Sequence, residues 1–272
     1  MQHIEIPRIG YGTYGRSGSG GIAAIRTALD AGYRHLDTAQ SYETEKETGA
    51  GLRESGLDRD EVFITTKVTQ ANYAPGCLVP SLRDSCEALG VERVDLTLLH
   101  WPAPNGDRPL TAYLPQLLEA QEQGLTRLIG VSNFPIALLE EAERIAGPNR
   151  ISTNQVECNI LFQNKILADY CGRKGILLTC YQPIAHGNAT TDPAMMEIAR
   201  ELDATPAQVA LAWCLAKGYA AIPTSSKPAR IRENFGATRV TLSPGHLARI
   251  AKIPQHPRSI APDWGPEWDA LE

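Results

Sequence analysis

The chain has 272 residues, 43% of them hydrophobic, with a formal net charge of −5 and a pI near 5.7. That length buries a full core, in one large α/β domain or two small ones, and mild acidity without any block of like charge gives no support for a nucleic-acid partner. Apolar runs such as 209–215 are too short to span a bilayer, and the opening Met1-Gln-His-Ile-Glu5 lacks the basic-then-apolar order of a secretory signal, so a cytoplasmic protein is expected.

Short β-rich runs alternate with longer amphipathic stretches. The first three strands are expected over 8–13, 33–37 and 62–67. Leu78, Leu82, Cys86 and Leu89 then recur at helical spacing and make one apolar face. Strands follow over 94–100 and 127–132. Pro135 stands where a first helical turn begins, Leu138, Leu139, Ala142 and Ile145 form the next stripe, and Gly147-Pro148 stops it. Strands over 152–157 and 176–181 come next. Thr205-Pro206 reads as an N-cap and first helical residue for 207–217, and the eighth strand covers 219–223.

Parallel strands need helical crossovers, so this alternation implies a parallel sheet. Eight such units in about 250 residues is the size of a closed (β/α)8 TIM barrel, with a doubly wound open sheet as the alternative. No Pro/Gly/Ser-rich linker divides the chain, so one domain over 1–272 is expected. Its last part, 253–272, holds Pro254, Pro257, Pro262, Pro266, Trp264 and Trp268 and reads as an irregular segment pinned by its tryptophans. It serves either as plain packing or as a wall of the active-site mouth. The six cysteines are scattered without a Cys-x-x-Cys pair and read as reduced, mostly buried thiols; no His-x-x-x-His or similar cluster suggests a metal.

Gly10-Tyr-Gly-Thr-Tyr-Gly15, followed some twenty residues on by Asp37, imitates a dinucleotide fingerprint. A fingerprint helix opens at the motif itself, whereas Arg16-Ser-Gly-Ser-Gly-Gly21 intervenes here and Pro7 interrupts the preceding run. The glycines are therefore expected to permit tight packing at the end of the first strand. The stronger signal is the residue that closes each apolar run. Asp37, Lys67 and His100 stand 30 and 33 residues apart, one βα unit each. In a barrel the C-terminal strand ends converge on one mouth, where catalysis occurs. A buried lysine needs a carboxylate, and Asp37 is its natural partner. Tyr42 follows closely enough to fold over the same mouth.

Asp37-Thr-Ala-x-x-Tyr42, Lys67 and Leu98-Leu-His-Trp-Pro102 resemble the aldo-keto reductases. The resemblance continues in order through Gly10-x-Gly-Thr13, Gly130-Val-Ser-Asn-Phe134, Asn154-Gln-Val-Glu157, Tyr181-Gln-Pro183 and Ile222-Pro-Thr-Ser225 with Arg230, Glu233 and Asn234. Within the family, the short loops and the closing Pro266-Glu-Trp-Asp look most like the bacterial 2,5-diketo-D-gluconate reductases of the B type. The resemblance implies hydride transfer from a nicotinamide to an aldehyde or ketone, such as a keto-sugar or small dicarbonyl. Tyr42 is then the general acid, Lys67 lowers its pKa, Asp37 holds Lys67 charged, and His100 polarises the carbonyl oxygen.

The same resemblance implies that Ser132, Asn133 and Gln155 hold the nicotinamide carboxamide, Tyr181 stacks on the ring, and Thr13 lies near the ribose and pyrophosphate. Ser225, Arg230, Glu233 and Asn234 would hold the adenosine end, and Tyr14 and Trp101 would line the substrate pocket; read by its own chemistry, the segment 224–230 adds Ser226 and Lys227 as donors for a 2′-phosphate. NADPH is the expected cofactor, with NADH as the alternative, in a monomer acting on a small carbonyl compound. Two segments depart from the family: Cys158-Asn159-Ile160 stands in place of an apolar residue and His-Pro, which is expected to reshape the local loop, and Thr224 replaces a lysine that bears on cofactor choice. Two rival functions remain open at this level: a Schiff-base aldolase using Lys67, and a non-catalytic nucleotide-sensing subunit.

Overall fold

Eight parallel strands follow one another in chain order in the computed structural model, which describes residues 5–270. They are β1 (Tyr11–Gly12), β2 (His35–Asp37), β3 (Phe63–Val68), β4 (Val94–Leu99), β5 (Thr126–Ser132), β6 (Ile151–Glu157), β7 (Leu177–Tyr181) and β8 (Ala220–Ala221). The two ends meet: Gly10 N donates to Ala221 O at 2.9 Å, Ala221 N to Arg8 O at 2.8 Å and Gly12 N to Pro223 O at 3.0 Å. The ring thus closes into a (β/α)8 barrel, which has no exposed edge. A doubly wound sheet would reverse its strand order partway. All eight expected runs become strands, but β1 and β8 shrink to two residues each. Pro223 has no N–H with which to extend the ladder.

The helices are α1 (Gly18–Ala31), α2 (Glu45–Ser55), α3 (Leu78–Leu89), α4 (Leu114–Glu122), α5 (Ile136–Ala146), α6 (Lys165–Lys174), α7 (Pro193–Glu201), α8 (Pro206–Ala216), α9 (Pro228–Phe235) and α10 (Pro244–Ile250). The predicted stripe of α3 is buried along its length. Thr205 and Gln208 form a reciprocal cap on α8: Gln208 N donates to Thr205 Oγ1 at 3.2 Å and Thr205 N to Gln208 Oε1 at 3.0 Å. Pro135 stands one position earlier than expected, as the cap of α5 and not its first residue. A proline cap has no side-chain acceptor, so Ile136 N, the first helical amide, donates to the Asp269 carboxylate at 3.1 and 3.2 Å. Helix α1 also starts earlier than expected, inside the glycine-rich stretch. A Cβ on Gly21 would lie 2.0 Å from the Arg16 carbonyl oxygen, so only glycine lets that first turn rest on the loop.

Alternation along the strands sorts the side chains. Leu36, Ile64, Val68 and Leu99 face the large core between barrel and helices. Phe63, Leu96 and Leu98 join Ile6 in a smaller cluster, and the residues in step with them, Lys67 and His100, end on the same side of their strands. Two of the three motif glycines serve packing, as expected: a Cβ on Gly10 would lie 2.7 Å from His35 Nδ1, and one on Gly12 would press on the Ile222 carbonyl oxygen at 3.1 Å, whereas Gly15 has open space around it and takes a left-handed φ of 70°.

The tail runs from Pro254 without helix or strand. Trp264 and Trp268 set their edges against Trp101, with ring centroids 5.2 and 6.0 Å apart. The Glu157 carboxylate accepts Ser259 N, Ser259 Oγ and Ile260 N at 2.7 to 3.1 Å, and Ile260 lines the central cavity. Packing and mouth-lining are therefore both roles of this segment. Residues 271 and 272 of the tail, and residues 1–4 of the opening stretch, lie outside the described residues. All six cysteines are free thiols, five of them buried and Cys77 exposed. Among the described residues no helix is long and apolar enough to cross a membrane, and no group of His, Cys, Asp and Glu is arranged to hold a metal.

Candidate active site

Asp37 closes β2, Lys67 is the penultimate residue of β3, and His100 follows β4 directly. Their convergence at one barrel mouth makes a dense polar knot. Lys67 Nζ donates to Asp37 Oδ1 at 2.5 Å, to Thr38 O at 2.8 Å and to Tyr42 OH at 3.3 Å, one acceptor for each ammonium proton. Lys67 and Asp37 are almost wholly buried, and the second Asp37 oxygen accepts Gln155 Nε2 at 2.7 Å. Burial pulls the Lys67 pKa down, but Asp37 and Tyr42 more than offset it, and the net direction is upward. The lysine stays an ammonium.

Tyr42 reaches this knot on a single 3-10 turn, Gln40–Tyr42. Gln40 nails the turn down. Its amide nitrogen donates to Ser81 O, Ser81 Oγ and Ser85 Oγ at 3.0 to 3.2 Å, and its oxygen accepts Thr69 N and Asn72 Nδ2 at 3.0 Å each. Lys67 Nζ lies 4.7 Å from the Tyr42 ring centroid, and the ring meets Tyr14 and His100 edge-on. Burial pushes the Tyr42 phenol up; the Lys67 ammonium pulls it back, and the Asp37 carboxylate raises it again. The net direction is upward. This corrects the expectation of a lowered value: Lys67 does act downward, and desolvation outweighs it.

His100 Nδ1 lies 3.2 Å from Ser41 Oγ, and its carbonyl oxygen accepts Asn133 Nδ2 at 3.1 Å. Burial, with help from the Lys67 charge, holds its pKa down to about 3, so the ring is neutral near neutral pH. Asn133 adopts a left-handed backbone, φ 62°, a conformation asparagine tolerates better than most residues. Its side chain links three others: Nδ2 also donates to Ser132 Oγ at 3.1 Å, and Oδ1 accepts Tyr181 OH at 2.8 Å. Ser132 Oγ donates to Gln155 O at 2.7 Å.

One cavity of about 1040 Å³ is lined by Asp37, Tyr42, His100, Trp101 and Tyr14, by Ser132, Asn133, Gln155 and Tyr181, and by Ser225, Arg230, Glu233 and Asn234. Thirteen of the seventeen residues singled out from the sequence thus share one space. Lys67 stands behind Tyr42. Thr13 is fully buried, its hydroxyl 3.1 Å from that of Thr44, and it does not line the cavity although its neighbours Gly12 and Tyr14 do. Ser226 and Lys227 are exposed and also outside the lining; Lys227 occupies the cap position of α9.

Sequence reasoning missed Gln40, Ser41, Arg16 and His186. Gln40 and Ser41 fill the unspecified positions of the Asp37–Tyr42 motif, and the other two, both lining the cavity, sit where no periodicity marks them, Arg16 on a loop and His186 in the kinked 3-10 segment Ala185–Thr190. At the Cys158-Asn159-Ile160 departure, Asn159 organises the loop itself. Asn159 Oδ1 accepts Leu161 N at 2.9 Å and Phe162 N at 3.0 Å, closing a tight turn, and its Nδ2 donates to Gln182 O at 3.3 Å.

Comparison with known proteins agrees with this geometry. The sequence model of the Aldo/keto reductase family matches residues 8–255. The chain is 42% identical to the methylglyoxal reductase DkgB of Yersinia pestis, over 98% of this chain and 100% of that one. It is 38% identical to the 2,5-diketo-D-gluconic acid reductase B of Corynebacterium sp., over 90% and 88%. A solved structure provisionally assigned as a 2,5-diketo-D-gluconic acid reductase B superposes with a TM-score of 0.93 at 35% identity, covering 97% of this chain and 94% of that one. The chain therefore belongs to the aldo/keto reductase family, as an NAD(P)H-dependent oxidoreductase that reduces carbonyl groups.

Proposed function

We propose that the chain reduces a small aldehyde or α-dicarbonyl, of the methylglyoxal or diketogluconate type, using NADPH, with Tyr42 as the proton donor. The observation that carries this reading is Lys67 held between Asp37 and Tyr42 at the cavity wall. A cavity of about 1040 Å³ has room for an elongated cofactor beside a small substrate. The residues fit such a cofactor chemically: hydroxyl and amide groups at Ser132, Asn133 and Tyr181, and a cation at Arg230 close to Ser225 and Asn234. When bound, the reduced nicotinamide supplies the hydride.

The chain's own groups supply the rest. Hydride addition leaves negative charge on the carbonyl oxygen, which needs a proton. Tyr42 holds one because burial keeps the phenol neutral, and Lys67 stabilises the phenolate that forms as it leaves. Asp37, braced by Gln155, keeps Lys67 charged and oriented. Neutral His100 offers a hydrogen bond to the same oxygen. Trp101, Tyr14 and Ile260 give an apolar rim suited to a small substrate and to excluding water. A Schiff-base role for Lys67 is disfavoured, because a nucleophilic amine must be deprotonated and this one has three acceptors and a raised pKa.

The test is steady-state oxidation of NADPH, and separately NADH, with methylglyoxal, keto-sugar acids and aromatic aldehydes, for wild type and Tyr42→Phe. Turnover that disappears with the phenol hydroxyl supports the reading. Equal turnover by both enzymes removes Tyr42 as the acid, and faster reaction with NADH removes the NADPH preference.

A further inference from the structure

A neutral imidazole carries one proton, on Nδ1 or on Nε2, and only the nitrogen that carries it can donate a hydrogen bond. His100 is neutral in this cavity. Its usefulness to a carbonyl oxygen thus depends on which nitrogen is protonated. That choice depends on the partner on the other side of the ring, and a hydroxyl partner can donate to a bare Nδ1 or accept from Nδ1–H, two states that differ in which nitrogen is left to face the cavity.

The partner is Ser41, whose hydroxyl oxygen lies 3.2 Å from Nδ1, while Nε2 makes no hydrogen bond to another described residue. Ser41 is the middle residue of the turn Gln40–Tyr42. Three contacts donated by the Gln40 amide nitrogen and two accepted by its oxygen fix that turn, so the serine hydroxyl and the tyrosine phenol are delivered together. Asn133 holds the other side of the histidine through its backbone oxygen. Ring and serine are both presented from braced backbone.

We propose that Ser41 is a positioning residue: its hydroxyl donates to Nδ1 of His100 and so fixes the imidazole as the Nε2–H tautomer, leaving that N–H for the carbonyl oxygen. The consequence for catalysis rests on the reading of His100 given above, but the tautomer can be measured without turnover. An alanine here leaves Nδ1 without a donor and lets the proton divide between the two nitrogens. A threonine keeps the hydroxyl.

The experiment is long-range proton–nitrogen correlation NMR on protein labelled with ¹⁵N-histidine, for wild type, Ser41→Ala and Ser41→Thr. His100 is identified by its absence from the spectrum of His100→Gln. Wild type and Ser41→Thr should show a protonated Nε2 and an unprotonated Nδ1, and in Ser41→Ala the two shifts should move toward each other. In parallel, kcat for a carbonyl substrate should fall in Ser41→Ala on the order of 10-fold, the scale of one lost hydrogen bond, recover in Ser41→Thr, and leave cofactor affinity unchanged. A wild-type His100 protonated on Nδ1 overturns the proposal. So does an alanine variant with the wild-type spectrum, whatever its activity. If the spectra behave as expected while Tyr42→Phe keeps full turnover, the Tyr42 assignment fails and the Ser41 tautomer assignment stands.

Discussion

As the proposed proton donor, Tyr42 must still hold its proton when a carbonyl oxygen demands it, and its burial acts in that direction. Tyr42→Phe keeps the ring and deletes the proton, so carbonyl reduction should fall by about 10²-fold or more, the range typical for loss of a general acid, with cofactor affinity nearly constant by fluorescence titration. The upward direction of the Tyr42 pKa also sets a pH profile. The acid form is the active one in reduction, so kcat should stay level through neutral pH and decline only above the ordinary phenol value of 10.0. A decline already at neutral pH would mean that Lys67 dominates. Lys67→Met deletes the charge that stabilises the phenolate and strands Asp37, so activity and stability should both drop, by urea unfolding and by turnover. His100 gives a separate, stability-based check. Its folded-state pKa of about 3 lies below the ordinary 6.5, so over that interval the unfolded chain binds a proton that the native one refuses. Its share of stability is complete above 6.5 and declines as pH falls toward 3. His100→Gln should flatten that part of the stability curve, and an unchanged slope would show that other groups, buried His35 among them, carry it.

Strand ends carried most of what the sequence disclosed. Apolar runs punctuated by Asp37, Lys67 and His100 were legible because a run that must be buried does not end on an ionisable residue without use for it. Eight strands in order were legible for a similar reason, since the helical stripes between them exclude hairpins. Interactions between distant elements were not legible. Nothing local says that Asp269 will cap α5 in place of Pro135, or that Gln155 will brace Asp37. The net direction at Tyr42 escaped for the same reason, because desolvation depends on everything packed around the ring. The tail shows how much such contacts hold. Glu157, at the end of β6, receives two backbone amides and one hydroxyl from Ser259 and Ile260. Glu157→Gln replaces a charged acceptor by an amide that cannot accept all three, at a cost of about 1–3 kcal/mol. Because Ile260 lines the cavity and Trp264 meets Trp101, the variant should also raise KM for the carbonyl substrate more than it lowers kcat. Faster proteolytic cleavage within 254–270 would accompany a released tail. Wild-type KM and wild-type proteolysis together would reduce the carboxylate to a passive contact.

The molecule as a whole is acidic, yet at the cavity Arg16 and Arg230 in the lining and Lys67 behind it face two carboxylates, Glu233 and the buried, Lys67-paired Asp37. That local reversal of sign suits an anionic dinucleotide, and a concave low-dielectric wall concentrates such a field. NADPH differs from NADH by a 2′-phosphate, so a preference between them needs cations and donors near the adenosine end. Thr224, in place of a lysine, removes one candidate, and Lys227 points to a weaker role because it is exposed and outside the cavity lining. On the NADPH reading proposed above, Arg230 is the principal candidate, lining the cavity beside Ser225 from the first turn of α9. Its planar fork can grip a phosphate or stack on the adenine. Only the first distinguishes the two cofactors. Arg230→Ala should therefore weaken NADPH binding by ~1.5–3 kcal/mol, the scale of a hydrogen bond to a charged group, and NADH binding much less. Lys227→Ala should change either affinity by less than tenfold. Arg230 is exposed, so the NADPH preference should also shrink as salt is raised. Tryptophan-fluorescence titration of both cofactors at low and high salt decides the matter. Equal losses for NADPH and NADH in Arg230→Ala would assign the guanidinium to the adenine, and a larger loss in Lys227→Ala would move the phosphate reader to the exposed lysine.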